Sequence, residues 1–437
     1  MLNIIGALIA LGILVTVHEA GHFIAARFFG VEIEKFSIGF GPKLLSFKRN
    51  KTEYRISLIP FGGYLKMKGE NPDEEIDDTE NSFLTKKWWK RALIAFSGPF
   101  ANFLFALIIF IATFTIGKNY QDHFPIVGIS SISDFVQEND QILTVNDHEI
   151  TSWSEIIKFT ESDKINIYEI EREEEKLILE NSDIEPQTWM SEILPFAPAI
   201  IGEVYPGLPA YQAGLMEKDE ILSVDGIQVN SWYEMRNLVK ENVKKSLIFE
   251  IKRGGNIFEK SIALEENILS NNKMIGIVQW MPLKMKETFS FFESIELGTI
   301  TTVNFVYLNY SALFKLMAHP SEFRKNLGGP VMIYTMSQQT AKKGLDSILT
   351  FVAAISILLM IMNLLPIPIL DGGHIFFCFI EGISQKTLSL KTQMAFQRIG
   401  FMILLTLMFF AFFNDFNRIF KRNISIQEQT EQTEAVR

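Results

Sequence analysis

The chain has one cysteine, Cys378, in 437 residues. A lone thiol forms no intramolecular disulfide and no cysteine-rich zinc module, so a metal site here must use histidine, aspartate and glutamate. Cys378 has neither a partner nor metal-ligand spacing, which leaves packing as its role. Histidine is also scarce, at six residues, so two of them four positions apart carry information. Positive charge is short as well. The balance of 41 Lys and Arg against 51 Asp and Glu is −10, the wrong sign for coating nucleic acid. With charged residues at 21% and a mean hydropathy of +0.15, the composition leans mildly toward membrane.

Four segments are apolar over the length a bilayer demands, about 20 helical residues at about 1.5 Å rise each. They are 2–29, 92–116, 345–365 and 394–416. The first carries His18, Glu19, His22 and Arg27. A cleaved signal peptide is a poor reading of it, because no basic residue precedes the apolar run, no small-x-small site follows, and charge lies inside. Buried core helices are the ordinary alternative for the other three, disfavoured by their length and lack of charge.

Charge also sorts the loops. The stretch 118–344 is acidic overall, whereas 31–91 is slightly basic, with Lys86, Lys87, Lys90 and Arg91 against the second span. Basic flanks favour the cytoplasm, which places that loop inside and the acidic block outside. Both termini then fall outside, although Arg418, Lys421 and Arg422 after the last span point the other way.

The first span contains His18-Glu19-Ala20-Gly21-His22. Residues four apart share a helix face about 6 Å apart along the axis, so the two imidazoles can meet one ion, a common zinc arrangement. Glu19 beside them is suited to take a proton from a water whose pKa zinc lowers to about 7. Two helix histidines satisfied by neighbours are the plainer reading in a soluble protein. Inside an apolar span such a cluster is too costly to be idle.

A catalytic zinc needs a third protein ligand and an open position. The third span ends in Asn363-Leu364-Leu365-Pro366-Ile367-Pro368-Ile369-Leu370-Asp371-Gly372-Gly373-His374. The prolines break the helix, which is tolerated at membrane depth only where protein or water surrounds the freed backbone. Asp371 follows at a glycine-rich turn open to an ion, and the alternative is an ordinary Asx turn. His374 could ligate, though a supporting role suits it better. Asn363 could donate to a tetrahedral oxyanion or satisfy carbonyls of the broken helix.

Together with Gly39-Phe40-Gly41-Pro42, Phe61-Gly62-Gly63-Tyr64 and Ser97-Gly98-Pro99-x-x-Asn102, these motifs resemble the site-2 protease family of intramembrane zinc metalloproteases, in its bacterial type with tandem PDZ domains. The likeness runs in order over essentially the whole chain. It implies that His18, His22 and Asp371 bind one catalytic zinc ion, that Glu19 is the general base, and that Asn102 and Asn363 support substrate or site. It also implies an inner-membrane endopeptidase that cuts single-pass membrane proteins, such as anti-sigma-factor-like regulators or remnant signal peptides, after another protease has acted. The PDZ domains would lie on the periplasmic side and exclude substrates with large outer domains. A PDZ scaffold with a structural zinc and a metal transporter are the rival classes, and Glu19 discriminates them.

The loop after the first span has alternating stretches at 32–38 and 54–59 joined by turn residues, which predict β-hairpins able to hold an unwound substrate strand. Within the acidic block, Ile200-Ile201-Gly202-Glu203-Val204, Gly207-Leu208-Pro209-Ala210 and Asp219 to Gly226 resemble a bacterial PDZ domain, with Ile201 and Gly202 at the loop that would receive an extended or C-terminal peptide. Lys218 stands where the family usually has glycine. Ile126 to Ile129 and Asp140 to Asp147 repeat the pattern in shortened form.

The expected fold is an α-helical polytopic membrane protein with four transmembrane helices, a membrane-associated β-hairpin element and two β-rich PDZ domains. Its divisions are span one with the zinc motif at 1–30, a cytoplasmic-side hairpin loop at 31–91 and span two at 92–117. A degenerate first PDZ at 118–196 and a second at 197–283 follow. Amphipathic surface helices at 284–343, span three with the Asp-bearing loop at 344–391, span four at 392–417 and a polar, disordered tail at 418–437 complete it. Its partners are the lipid bilayer and membrane-protein substrates, not nucleic acid.

Overall fold

The apolar runs fold as long helices because lipid offers no partner for a backbone amide, so each must be satisfied within its own segment. The structure is a computed structural model that describes residues 2–70, 80–181, 183–266, 272–318, 328–386 and 389–435. It divides into two compact units: Met1–Lys118 with Thr288–Asn414, and Asn119–Glu287 with Asp415–Arg437.

In the first unit α1 covers Leu2–Phe28 and α2 covers Trp88–Ile116. Among the described residues four helical stretches are long and apolar enough to cross a membrane: Ile9–Phe28, Trp88–Ile116, Leu345–Asn363 and Lys391–Phe420. α1, the helix Leu345–Asn363, the helix Asp371–Ser384 and the helix Phe291–Ala318 all pack against α2. Ala106 and Phe110 on it form a buried cluster with Ala353, Ile357 and Met360. These last belong to the helix Leu345–Asn363, called α9 below.

Between α1 and α2 the chain forms β1 (Ile33–Arg49) and β2 (Thr52–Met67), which pair antiparallel. The two predicted stretches are parts of one ribbon folded back on itself. Phe36 pairs with both Tyr54 and Leu65, while Phe47 also pairs with Tyr54. The return bend passes through Gly62, whose φ of 107° is closed to other residues. The bend was not legible from alternation because it comes from backbone conformation rather than from polarity. Leu44, Leu45, Phe47 and Leu58 on the outer part are more than half exposed, a surface suited to lipid rather than water.

The second unit contains two modules of the same strand order. In the first, His148–Glu149, Gln141–Val145, Asn166–Arg172 and Glu175–Asn181 lie side by side in that order. The second repeats this with Ile227–Gln228, Glu220–Val224, Ser246–Arg253 and Asn256–Ala263. Each has a serine-capped helix, α3 (Trp153–Phe159) after Ser152 and α6 (Trp232–Lys240) after Ser231; two short helices, α4 (Thr188–Ser191) and α5 (Pro209–Gln212), lie between them. Each also buries an aspartate against an arginine, Asp140 with Arg172 and Asp219 with Arg253. Lys218 has a φ of 69°, the left-handed conformation that glycine adopts most readily.

Helix α7 (Phe291–Ala318) turns Ser294, Gly298 and Thr302 inward, a row of small residues that lets it approach α2 closely. Then come α8 (Pro330–Lys343), α9, α10 (Asp371–Ser384) and α11 (Leu390–Ala435). The polar tail, expected to be disordered, is helical through Ala435; its Gln and Glu residues are good helix formers carried on from an established helix. Arg418 on this continuation lies against Gly207 of the second module.

His123 in the second unit is buried, and its Nε2 accepts from Gln279 Nε2 at 2.9 Å. Burial holds its pKa below the ordinary 6.5. The unfolded chain therefore takes up the proton first. This contribution to stability is complete above about pH 6.5 and is lost as pH falls through the lower folded value. Unfolding of this unit in the full chain, followed by tryptophan fluorescence, is expected to ease between pH 7.5 and 5 more steeply than in His123→Gln.

Candidate metal centre

The helical spacing of α1 puts His18 and His22 on one face, and both are buried. Their Nε2 atoms lie 3.2 Å apart. Asp371, the first residue of α10, brings its carboxylate to the same point: Oδ2 lies 3.0 Å from His18 Nε2 and Oδ1 lies 3.4 Å from His22 Nε2. Among the described residues this trio is the one cluster with metal-ligating geometry.

The donor set fits zinc. Ligand atoms about 2.0–2.2 Å from a zinc ion at tetrahedral angles stand about 3.3–3.6 Å from one another, close to the three separations found. Among the described residues the buried Oδ2 of Asp371 makes no hydrogen bond despite its nearness to His18 Nε2, which is costly for a carboxylate oxygen unless a cation sits beside it. Three protein ligands leave a fourth position, as a catalytic rather than a structural ion requires.

Neighbouring groups set the tautomers. His22 Nδ1 donates to the carbonyl of Ile94 at 2.7 Å, which leaves Nε2 bare toward the centre. His18 Nδ1 faces the side-chain amide of Asn102 at 3.3 Å, and Asn102 Oδ1 has no partner. Turning that amide over satisfies both groups at once: Oδ1 then accepts Nδ1–H, and His18 Nε2 is freed as a ligand. The Asn102 carbonyl accepts from Ser356 Oγ at 2.9 Å, which ties α9 to the same turn of α2.

α2 can come this near because residue 98 is glycine. A Cβ there would lie 2.5 Å from His22 Cε1 and 2.9 Å from His18 Cε1, inside van der Waals contact. The Ser-Gly-Pro stretch is visible in the sequence. What it makes room for is not.

A cavity of about 430 Å³ adjoins the trio, with Glu19, Tyr64, Leu65 and His374 among its walls. Glu19 thus stands at the same cavity as the candidate ligand atoms, and β2 and α10 both contribute to its walls. Asn363 ends α9, half-buried, and is not part of this lining. Ile201 and Gly202 lie in the other unit, in the strand Ile201–Val204. Ile201 donates its amide to the Asp219 carbonyl and accepts from the Lys218 amide, so its backbone is already paired. A peptide cannot take these hydrogen bonds at Ile201.

The sequence model of peptidase family M50 matches residues 6–407. The chain is 35% identical over 445 residues to the regulator of sigma-E protease RseP of Escherichia coli, covering 94% of this chain and 98% of that one. It is 31% identical over 427 residues to a Borreliella burgdorferi protein carrying the name zinc metalloprotease, covering 94% and 98%. The protease RseP of Yersinia pestis is 32% identical over 445 residues, again covering 94% and 98%.

Metal analysis of the purified full chain should find zinc in the native protein and none in His22→Ala or Asp371→Ala. Asn102→Ala is expected to keep the fold and to bind zinc about 10–100-fold more weakly, since it removes the partner that orients His18. Unchanged affinity would mean that the Asn102 contact does not set the tautomer.

Proposed function

We propose that this chain, which belongs to peptidase family M50, hydrolyses a peptide bond in or near the transmembrane segment of a single-pass membrane protein after another protease has removed that protein's outer domain. The chain is a zinc metalloendopeptidase of regulated intramembrane proteolysis. The observation that carries the reading is the meeting of His18, His22 and Asp371 beside Glu19 at a cavity walled by a β-strand.

Zinc, when bound, supplies a Lewis acid that polarises the scissile carbonyl and acidifies a water to about pKa 7. His18, His22 and Asp371 are the residues that would hold one such ion. Glu19 takes the proton of the attacking water and returns it to the leaving amine, which must depart neutral. The surrounding apolar helices keep bulk water from these charges and strengthen each interaction.

A helical substrate hides its amides in its own hydrogen bonds, so it must unwind before cleavage. The half of β2 from Gly63 to Met67 pairs with β1 on one side, and among the described residues no strand pairs with its other side. Tyr64, Leu65 and Met67 of this half line the cavity that holds Glu19. An unwound segment adding as a strand there would run past the metal ligands with its backbone held by main-chain hydrogen bonds.

The two modules of the second unit read as PDZ domains that keep bulky outer domains away, on the periplasmic side of a bacterial inner membrane. The repeated strand order and the repeated aspartate–arginine pairs support two copies. A C-terminal peptide at the second module would need an edge other than the backbone of Ile201. Anti-sigma-factor-like regulators and remnant signal peptides are the substrate classes that suit such a filter.

Glu19→Gln should retain zinc and lose cleavage by a factor of about 10² or more. Membrane proteomes of cells carrying the variant should accumulate single-pass proteins already shortened on the outer side. Full cleavage by zinc-loaded Glu19→Gln would overturn the proposed role of Glu19.

A further inference from the structure

Asp371 alone among the three ligands comes from the far end of the sequence, and what fixes it is less evident than for the histidines. His18 and His22 share one helix. Asp371 follows a loop broken by Pro366 and Pro368, whose backbone is held by short turn hydrogen bonds rather than by a regular ladder. Metal coordination tolerates only a few tenths of an ångström in ligand position. A helix resting on apolar packing alone can slide or rotate by more than that.

α10 presents Asp371, His374, Cys378 and Glu381 along one face, and all four line the cavity beside the centre. Glu381 lies about 15 Å along the axis from Asp371. There its carboxylate pairs with the Arg91 guanidinium, near the start of α2. Arg91 is 6% exposed, and among the described residues Glu381 is the carboxylate paired with this buried charge. Trp88, one turn before Arg91, completes the attachment. Its ring stands 5.7 Å from that of Phe379, and a Cβ on residue 382, which is glycine, would lie 2.7 Å from Trp88 Cε2.

We propose that Arg91 and Glu381 are a positioning pair for the metal centre: they lock the far end of α10 to α2 and so fix the register in which Asp371 meets His18 and His22. Buried ion pairs contribute little net stability, because desolvation offsets their attraction, and their best-attested use is to specify one arrangement among several of similar packing. α2 already carries Ile94, Gly98 and Asn102, which set the two imidazoles. Fixing α10 to the same helix refers all three ligands to one frame. The inference rests on the metal-centre reading above and assigns Arg91 and Glu381 no contact with substrate.

The test is the double replacement Arg91→Met with Glu381→Met, which removes both charges together and keeps side-chain volume, so no buried charge is left unpaired. It is expected to melt near the native temperature, to lose zinc to a chelator about tenfold more readily, and to show an altered visible spectrum when loaded with cobalt. kcat should fall with KM little changed. Arg91→Lys keeps the charge and loses the planar fork, and it should fall between native and double variant in zinc retention. If the double replacement does not fold, Arg91→Lys decides: native zinc retention and cobalt spectrum in it overturn the inference. Native values in a folded double variant overturn it equally. A native chain that takes up no zinc would sink the metal-centre reading itself, a distinguishable result.

Discussion

Polar groups inside apolar helices have no solvent to fall back on, so each must find its partner within the protein. Here that requirement organises the whole first unit. His22 reaches the carbonyl of Ile94, His18 reaches Asn102, and the carbonyl of Asn102 receives Ser356. Arg91 is compensated by Glu381. Each of these links crosses from one helix to another, and every one has an end on α2. α2 thus serves as the common reference for α1, α9 and α10. The candidate ligands His18, His22 and Asp371 occupy the place where the links are densest, and where a change in one is felt by the others.

The β-ribbon solves a different problem with the same economy. An isolated two-stranded ribbon is marginal in water, and a flat one beside a membrane would present two long open edges. Bending at Gly62 lets the first part of β1 pair on both sides, so that a single hairpin contributes several adjacent rungs. Its outer part displays leucine and phenylalanine, while its inner edge comes up against the cavity. The second unit is built by repetition instead: a strand order used twice, a capped helix in each copy, and an aspartate–arginine pair in the same place of both.

The parts of this architecture that were legible in the sequence are those encoded by local spacing. Two histidines four apart on a helix declare their shared face. The prolines and glycines around Asp371 declare a break in a span. The four apolar runs needed only their length. Contacts between distant elements were not legible, because nothing local marks them. The sequence offers no sign that Asn102 meets His18, 84 positions away, or that Arg91 meets Glu381, 290 positions away. Arg91 reads as one more basic residue flanking a span, and only its burial against α10 distinguishes it from Lys86 and Lys87. The pairing of Ile201 was not legible for a related reason: a motif shows which residues form a strand and does not show which of its backbone groups are already bonded.

The division of the ligand set between opposite ends of the chain has a consequence for how the enzyme comes into being. The two imidazoles are made about 350 residues before the carboxylate that would complete the set. Until residue 371 is in place, the proposed general base at Glu19 has no complete metal site beside it. On the reading proposed here, hydrolysis waits for the fold to close, and a chain that stops short of Asp371 lacks it. A protease that works among the unassembled helices of other proteins gains from this an intrinsic delay, written into the order of its own residues.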